Sequence, residues 1–334
     1  GRRSITMNFR EFVNSRPELR YLFFGGKGGV GKTIVAAGAA YFLAEKMGRK
    51  TLISSTNPVH SLSSAYKQDI WGKGIQRVEG TRNLDAIEID ISDTVARYKQ
   101  EIRDKIFTFL KYADIPLDPE PFVDVATINP AFEESAMFED MMGLMVKSEY
   151  DAYVFDTAPV AHTYRLLGMS KVYDLWLQKM VKSREEALSM RVKLSFRKEK
   201  MIEEIKKDPL LAGLLSTRRR TEEGRKLLVD PEKSAFFFVT LPLALPIAVI
   251  ERFIGWVRSF NIPTGGIIVN QVIPKEQFDL GSSTPYLVNK IKEQDHYLAT
   301  VDTKFPGLVR AFVPLYDTEV AGVDMIARVA EALG

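Results

Sequence analysis

The chain has 334 residues, no cysteine, and a formal net charge of only +3 from 46 basic and 43 acidic side chains. This length provides either one large domain or two smaller ones, with a core that needs no disulfide or metal to hold it. The balanced charge argues against a protein that coats nucleic acid, and the lack of cysteine excludes disulfides, cysteine nucleophiles and thiolate metal sites. No apolar run approaches the roughly 18 residues that a membrane span requires, so we expect a soluble, cytoplasmic protein.

Short apolar runs that are typical of buried strands recur along the chain and alternate with helical patterns. A helix is predicted over residues 34–47, directly after the first of these strands. The predicted strands cover residues 21–24, 51–54, 84–89, 153–155, 235–241, 266–270 and 310–314. Strands separated by helices predict an α/β fold with a doubly wound, mainly parallel sheet and helices on both faces.

Two stretches, residues 93–148 and 171–230, have helical patterns but few strand signals. Eight of the 11 methionines in the chain lie within residues 137–201. Methionine is flexible and polarizable, so it suits surfaces that accept varied apolar partners, although packing in an ordinary helical core explains it as well. These stretches therefore do not fit the alternation of strands and helices that the rest of the chain shows.

A glycine-rich segment between the first predicted strand and helix matches the phosphate-binding pattern G-x-x-x-x-G-K-[ST]. Its glycines let backbone N–H groups converge on phosphate oxygens, and the following helix adds the positive end of its dipole. We expect Lys32 to bridge the β- and γ-phosphates and Thr33 to ligate Mg²⁺. The predicted nucleotide-binding residues of this segment are Gly26, Lys27, Gly28, Gly29, Val30, Gly31, Lys32, Thr33 and Ile34.

Asp156 ends the strand that is predicted at residues 153–155. A carboxylate at the carboxyl end of a strand, facing the phosphate loop, can hold a water ligand of Mg²⁺. An aspartate in an ordinary turn is the alternative interpretation. We therefore predict ATP or ADP with Mg²⁺ as cofactors. Thr33 is the expected ligand of Mg²⁺, and Asp156 is expected to hold one of the waters bound to it.

The second residue of the glycine-rich segment, Lys27, gives it the deviant form Lys-Gly-Gly-Val-Gly-Lys-Thr. This form resembles the loop of a dimeric branch that includes partitioning ATPases, nitrogenase iron proteins and ion-pump ATPases. The resemblance implies that Lys27 reaches the phosphates held by the partner subunit and acts in catalysis with Lys32. A solvated loop lysine is the alternative.

Three further segments narrow the resemblance. Residues 55–63, Ser-Thr-Asn-Pro-Val-His-Ser-Leu-Ser, and residues 155–163, Phe-Asp-Thr-Ala-Pro-Val-Ala-His-Thr, resemble two nucleotide-sensing switches. Residues 267–271, Ile-Ile-Val-Asn-Gln, resemble a strand whose asparagine recognises adenine. Together with the loop, they are similar to the arsenical-pump ATPase and tail-anchored-protein targeting factor family, from about residue 21 to the end of the chain.

This family resemblance implies a role for each residue that matches its motifs. The residues implied in the two switches are Asn57, Pro58 and His60 in the first and Thr157, Pro159 and His162 in the second. The residues implied at the nucleotide base are Asn270, Pro314, Leu315, Tyr316 and Val320.

The resemblance also implies a nucleotide-binding domain that carries a helical subdomain and works as a homodimer. We assign residues 17–92, 136–170 and 231–334 to the nucleotide-binding domain, and residues 93–135 and 171–230 to the helical subdomain. In the tail-targeting branch, the helical subdomains of both protomers form a groove for a hydrophobic helix. The candidate groove residues in this chain are Phe109, Trp176, Met180, Met190 and Met201.

The chain departs from the family pattern in several places. It lacks the Cys-x-x-Cys pair through which many targeting factors share zinc, so we expect neither a zinc-linked dimer nor a thiolate site for arsenite. Pro242 and Leu243 stand where the family often has a glutamate, so a contact to the nucleotide of the partner subunit is not expected. Asn57 stands where the resemblance puts the aspartate that orients or deprotonates the attacking water.

The asparagine at position 57 keeps the size of aspartate and one acceptor oxygen, but it cannot take a proton. General-base catalysis contributes roughly 10²–10⁴-fold, so we expect slow or absent hydrolysis with ATP binding intact. A substitution introduced to trap ATP and a naturally slow ATPase both explain this residue.

The leading functional prediction is an ATP-dependent carrier that shields the tail anchors of membrane proteins and delivers them to a membrane. Its expected partners are a second copy of the chain, a tail-anchored client and a membrane receptor, without nucleic acid. An anion-pump ATPase subunit, a partitioning or positioning ATPase and a P-loop kinase or synthetase are the alternatives.

Overall fold

The computed structural model describes residues 5–55, 61–112, 118, 120, 131–156 and 223–334. Several predicted site residues lie outside these ranges, and nothing further is assigned to them from the structure. They are Asn57, Pro58 and His60 of the first switch, Thr157, Pro159 and His162 of the second, and Trp176, Met180, Met190 and Met201 of the candidate groove.

The chain divides into two compact units. The described residues of the first unit are 5–55, 61–90, 148–156 and 228–334, and those of the second are 91–112, 118, 120, 131–147 and 223–227. The second unit thus extends to Lys147, beyond residue 135, where the sequence-based division ends the first helical segment. The five-segment domain division itself stays a prediction.

The first unit contains an eight-stranded sheet with the order β3-β4-β2-β5-β1-β6-β7-β8. The strands are β1 Tyr21–Gly25, β2 Thr51–Ser55, β3 Gln76–Arg77, β4 Leu84–Glu88, β5 Ala152–Asp156, β6 Ser234–Thr240, β7 Thr264–Val272 and β8 Val309–Pro314. All neighbours pair in parallel except β3, which runs antiparallel to β4. The predicted fold class is confirmed, and each predicted strand is present with bounds that differ by two residues at most.

The three central strands β5, β1 and β6 are buried along their whole length. Their sequences are almost continuously apolar, as expected for parallel strands that are covered on both faces. Aromatic rings cross this region, since the ring of Phe23 stacks 5.0 Å from that of Phe155 and 5.8 Å from that of Phe236. The centre of the sheet is therefore a rigid base for the loops that follow its strands.

Helices cover the sheet and build the second unit. They are α1 Phe9–Ser15, α2 Lys32–Tyr41, α3 Ser61–Tyr66, α4 Ile91–Tyr112, α5 Ala131–Lys147, α6 Ala244–Ser259, α7 Pro285–Lys304 and α8 Val323–Glu331. The predicted first helix begins two residues earlier than expected and continues past Tyr41 as a π-helical turn over Phe42–Lys46. Gly38 lets α8 approach α2 closely, because a Cβ there would lie 2.6 Å from Val329 Cγ1.

The described part of the second unit is helical, as the sequence predicts. Asp140 on α5 accepts hydrogen bonds from Thr94 Oγ1 at 2.8 Å and from Arg97 Nη2 at 3.1 Å, which join α4 to α5. The backbone of the candidate groove residue Phe109 lies in α4, two residues after Phe107, whose side chain is 55% exposed. Within the described ranges, we find no helix that is long and apolar enough to cross a bilayer.

Candidate functional site

The segment between β1 and α2 has the backbone of a ligand-binding loop. Gly29 and Gly31 have φ angles of +84° and +79°, in the left-handed region that favours glycine. Gly31 is the N-cap of α2, and no side chain caps this helix. The first N–H groups of α2 therefore present the partial positive charge that holds phosphate oxygens at helix N-termini.

The glycines of this loop face different surroundings. A Cβ on Gly26 would lie 2.5 Å from the carbonyl oxygen of Val239, so this glycine allows the loop to pass close to β6. Ideal Cβ atoms on Gly28 and Gly29 would meet no atom within 4 Å. One side of the loop is thus packed against the sheet, whereas the other leaves room for a ligand.

Asn270 on β7 is buried beneath the loop. Its side-chain Nδ2 donates a hydrogen bond of 2.9 Å to the carbonyl oxygen of Val30. A Cβ on Gly31 would lie 2.3 Å from the same nitrogen, so only glycine fits there without displacing Asn270. Asn270 therefore fixes the loop backbone, a role that the sequence did not suggest, while its contact with adenine stays a prediction.

Lys32, Thr33 and Asp156 come together at the start of α2. Lys32 Nζ lies 3.0 Å from Asp156 Oδ1, and the side chains are 8% and 0% exposed. Thr33 Oγ1 donates to Asp156 Oδ2 at 2.8 Å, and Ser55 Oγ donates to the same oxygen at 3.2 Å. Lys32 Nζ and Asp156 Oδ1 are close enough for an ion pair but have no hydrogen-bond partner of good geometry in the described chain.

These side chains fit a magnesium nucleotide. Lys32 Nζ keeps its donor capacity for a phosphate oxygen, and Thr33 and Asp156 bring the hard oxygen atoms that Mg²⁺ prefers. Among the described residues, no group of three or more His, Cys, Asp or Glu side chains could hold a metal on its own. The arrangement suits a cation that also takes phosphate oxygens and waters as ligands, as Mg²⁺ usually does.

Lys27 lies in the same loop with its side chain half-buried. It makes no hydrogen bond or ion pair with the other residues that the structure describes. Its ammonium group is therefore available for an anionic ligand, and its predicted reach to the partner subunit stays a prediction. Ile34 follows Thr33 in α2 and packs partly against the core.

A cavity of about 850 Å³ opens at the carboxyl ends of β6, β7 and β8. This is the same edge of the sheet from which the loop leaves β1, and ligands of open α/β sheets bind at such edges. Pro314, Leu315 and Tyr316, which were predicted at the base, all line the cavity, and Leu315 is 48% exposed. Val320 instead packs partly against the core.

Gln271 also lines this cavity and has an unusual backbone. Its φ of +56° lies in the left-handed region, and the register between β7 and β8 shifts between Val269 and Val272. The chain thus forms an irregularity directly after Asn270. Such a feature re-aims side chains at the edge of a sheet and often occurs beside active sites.

Gln294 on α7 forms part of the wall of the cavity and was not predicted. Its Oε1 accepts from the N–H of Ile273 at 2.6 Å, and its Nε2 donates to the carbonyl oxygen of Ile273 at 3.1 Å. The buried amide of Gln294 thus makes the same two hydrogen bonds with the backbone of Ile273 that a residue of a neighbouring strand would make. No sequence signal could have revealed it, since the two residues are distant along the chain.

Glu88, the last residue of β4, was missed as well. It is 1% exposed, and its carboxylate accepts hydrogen bonds from the first turn of α3. Glu88 falls on the same side of the predicted strand as Leu84 and Ala86, and this was the available signal, because carboxylates are rarely buried without donors.

Tyr66 on α3 extends the buried polar region towards α2. Burial raises the pKa of the Tyr66 phenol strongly, and the negative charge of Asp156 raises it further. The phenol donates to the carbonyl oxygen of Ala37 at 3.5 Å. This side chain therefore stays neutral and links α3 to the helix that carries Lys32.

The comparison with known proteins agrees with this geometry. The family model described as anion-transporting ATPase matches residues 19–334. Similar proteins include ATPase GET3C of Arabidopsis thaliana, which is 31% identical over 95% of this chain and 82% of its own length. ATPase get3 of Schizosaccharomyces pombe is 29% identical over 97% of this chain and 93% of its own length.

A third relative, from Aquifex aeolicus, is described as putative arsenical pump-driving ATPase 2. It is 28% identical to this protein over 94% of this chain and 99% of its own length. The predicted family is thus confirmed by matches that cover both the loop and the cavity. The chain belongs to the anion-transporting ATPase family and is an ATPase.

Proposed function

We propose that this protein is a cytoplasmic, Mg²⁺-dependent carrier that binds the hydrophobic tail anchors of membrane proteins as a homodimer and delivers them to a membrane. The observation that supports it is the second compact unit, which is helical in its described part and is attached to a phosphate-binding unit.

The phosphate-binding unit supplies the nucleotide chemistry of this proposal. The N–H groups at the start of α2 hold phosphate oxygens, and Lys32 exchanges its contact with Asp156 for the β- and γ-phosphates. Thr33 and Asp156 would hold Mg²⁺, which would neutralise part of the phosphate charge when it is bound. The cavity lined by Leu315 and Tyr316 takes the base.

Residue 57 sets the rate of hydrolysis in this scheme. The asparagine cannot accept a proton from the attacking water, so ATP is held longer than it would be with aspartate at this position. Slow hydrolysis prolongs the ATP-bound state. In a carrier, this state is the one that keeps the client shielded.

The dimer of this proposal closes through nucleotide rather than through metal. Lys27 has no partner among the described residues, and its charge can cross to the phosphates of the second protomer. The chain has no cysteine with which to share zinc. Closing the two phosphate sites brings the two helical units together and joins two half-grooves into one.

The helical unit supplies the client site. A tail anchor of about 20 residues is apolar all round, so one half-groove would bury too little of it. Phe107 presents an exposed apolar side chain on α4, close to Phe109 in the chain. The methionines at positions 180, 190 and 201 give the proposed groove the adaptable walls that helix-in-groove binding uses.

Capture of a photoreactive tail anchor tests this function. The parent protein with ATP should crosslink to the anchor, and Met180→Asp combined with Met190→Asp should abolish crosslinking without changing ATP affinity. Ile75→Asp is the control for an added carboxylate, because it places an aspartate at an exposed apolar residue of the first unit. Normal capture by the double aspartate variant would refute the carrier function.

An anion-pump ATPase subunit is the second candidate, and the similarity to the Aquifex protein favours it. Its test is the stimulation of ATP turnover by oxyanions. Without cysteine, no thiolate site is available, so arsenite should have no effect on turnover. Saturable stimulation by an oxyanion, together with a failure to capture tail anchors, would favour the pump subunit over the carrier.

A further inference from the structure

Glu88 lies in one row with two residues at the carboxyl edge of the sheet. In the pairing of β4 with β2, Glu88 is opposite Ser55, and in the pairing of β2 with β5, Ser55 is opposite Asp156. Asp156 holds Lys32, Thr33 and Ser55 at the phosphate site. Glu88 therefore occupies the corresponding position two strands away, where it contacts neither Lys32 nor Thr33.

The carboxylate of Glu88 is bound to the first turn of α3. It accepts hydrogen bonds from the N–H of Leu62, from the N–H of Ser63 at 3.3 Å and from Ser63 Oγ at 2.9 Å. Hydrogen bonds to an ionised carboxylate are stronger than those between neutral groups. The start of α3 is thus fixed to the end of β4 by a single buried side chain.

Ser63 extends this connection to the chain beyond α3. Its Oγ accepts from the N–H groups of Ile70 and Trp71, each at 3.2 Å. The carbonyl oxygen of Glu88 accepts from the N–H of Gly72 at 3.0 Å. Both ends of the turn that contains α3 are therefore tied to Glu88, either directly or through Ser63.

These contacts flank the first switch. The chain leaves β2 at Ser55, whose hydroxyl is bound to Asp156, and it enters α3 at Ser61, next to the contact of Leu62 with Glu88. Only residues 56–60, which include Asn57, lie between these two anchors. The residue before this five-residue segment is therefore bound to Asp156, and the helix that follows the segment is bound to Glu88.

We propose that Glu88 is a positioning residue for ATP hydrolysis: its carboxylate fixes the exit of the segment that carries residue 57 relative to Asp156. The inference rests on the proposed role of residue 57 at the attacking water. Glu88 touches neither nucleotide nor metal in this scheme, and it acts through the start of α3. A misplacement of about 1 Å at a reacting group can cost as much as 10²-fold in rate. We therefore expect the loss of the Glu88 carboxylate to lower kcat and to leave nucleotide affinity unchanged.

The test compares four full-length proteins: the parent, Asn57→Asp, Glu88→Gln and the double variant. Glutamine keeps the size of Glu88 but turns an NH₂ group towards donors, so the contacts to Leu62 and Ser63 cannot all persist. We expect Asn57→Asp to raise kcat. In that background, Glu88→Gln should lower kcat by about 10- to 100-fold with KM and ATP affinity within about twofold. In the parent, it should change kcat by less than about twofold, because no base needs to be positioned there.

The outcomes separate the inference from the function on which it rests. If Asn57→Asp leaves kcat flat, the role of residue 57 fails, and the inference fails with it. If Asn57→Asp raises kcat but Glu88→Gln lowers it equally in both backgrounds, only the inference is overturned, because an equal loss indicates a general structural role. A loss of ATP affinity in Glu88→Gln would overturn it as well.

Two further variants keep the test decisive if Glu88→Gln folds poorly. Ser63→Ala removes one donor to Glu88 and the link to Ile70 and Trp71, so it should reproduce the background-dependent fall in kcat to a smaller extent. Asp85→Asn is the matched control on the same strand, because the Asp85 carboxylate binds Arg77 at 2.6 Å and the Tyr150 hydroxyl at 2.7 Å. It should lower thermal stability without a background-dependent effect on kcat.

Discussion

Lys32 Nζ lies 3.0 Å from Asp156 Oδ1, in an ion pair from which water is almost excluded. Charges that are buried together depend on each other, because removing one leaves the other without compensation. In the proposed nucleotide complex, a phosphate would become the partner of Lys32 and a hydrated cation would become the partner of Asp156. A ligand that carries both charges would therefore compensate both members of the pair at once.

Asp156→Asn should destabilise the protein without nucleotide by about 3 kcal/mol, because it leaves the Lys32 ammonium buried without a counter-charge. Urea unfolding measures the change. Glu251→Gln is the control, since it breaks the exposed pair of Lys304 and Glu251, which lie 2.6 Å apart, and should cost less than about 1 kcal/mol. Equal effects of the two variants would show that Lys32 does not depend on Asp156.

Alanine substitutions at three loop glycines should differ in cost. Gly28→Ala meets open space and should change stability little, whereas Gly29→Ala has equal space but a φ of +84° and should cost about 1 kcal/mol. Gly31→Ala adds a clash with Asn270 and should cost most and weaken ATP binding. Thermal unfolding measures the loss of stability, and calorimetry with Mg²⁺-ATP measures the loss of ATP affinity. A Gly31→Ala protein with unchanged stability and affinity would contradict the contact between Asn270 and the loop.

Lys27→Ala should abolish ATP-dependent dimerisation in sedimentation experiments. The reason is that the charge proposed to reach the second phosphate site is lost, while Lys32 and Thr33 still bind nucleotide. Lys292→Ala, an exposed lysine on α7, is the matched control and should dimerise normally. When the concentration of Mg²⁺-ATP is kept constant, a metal chelator should leave the dimer of the parent intact. A dimer that dissociates under this condition would contradict closure through nucleotide.

Stability should fall as the pH rises above about 10, the pKa of tyrosine in an unfolded chain. Burial and the charge of Asp156 raise the pKa of Tyr66 in the folded protein, so above this pH the unfolded state loses a proton that the folded state keeps. Each pH unit in this window should cost about 1.4 kcal/mol for this residue. Tyr66→Phe should flatten the slope in urea unfolding, and Tyr286→Phe, which removes an exposed phenol, should not.

Strand positions were predictable from the sequence because buried parallel strands are short apolar runs bounded by glycine or polar residues. The edge strand β3 was missed because its two residues, Gln76 and Arg77, are polar and carry no apolar pattern. Helix α1 was also missed, although Asn8 and Glu11 form a capping box at its start. Its seven residues are too few for a clear helical period.

The phosphate site could be predicted because its residues are adjacent in the chain or end a recognisable strand. The structure brings Lys32, Thr33 and Asp156 together as expected, and their roles stay predictions. The partners of Glu88 and Gln294 could not be predicted, because they are set by strand register and by the packing of α7. Such contacts join distant parts of the chain and leave no local pattern.

The row formed by Glu88, Ser55 and Asp156 makes the chain sensitive to changes in length. Successive side chains of a strand point to opposite faces, so one residue inserted within β4 ahead of Glu88 would turn its carboxylate away from α3. The same insertion at residues 73–75, in the exposed turn before β3, leaves this register unchanged. In the Asn57→Asp background, a library of single-residue insertions should therefore retain ATP turnover at the turn and lose it in β4, even where every residue of the site is kept.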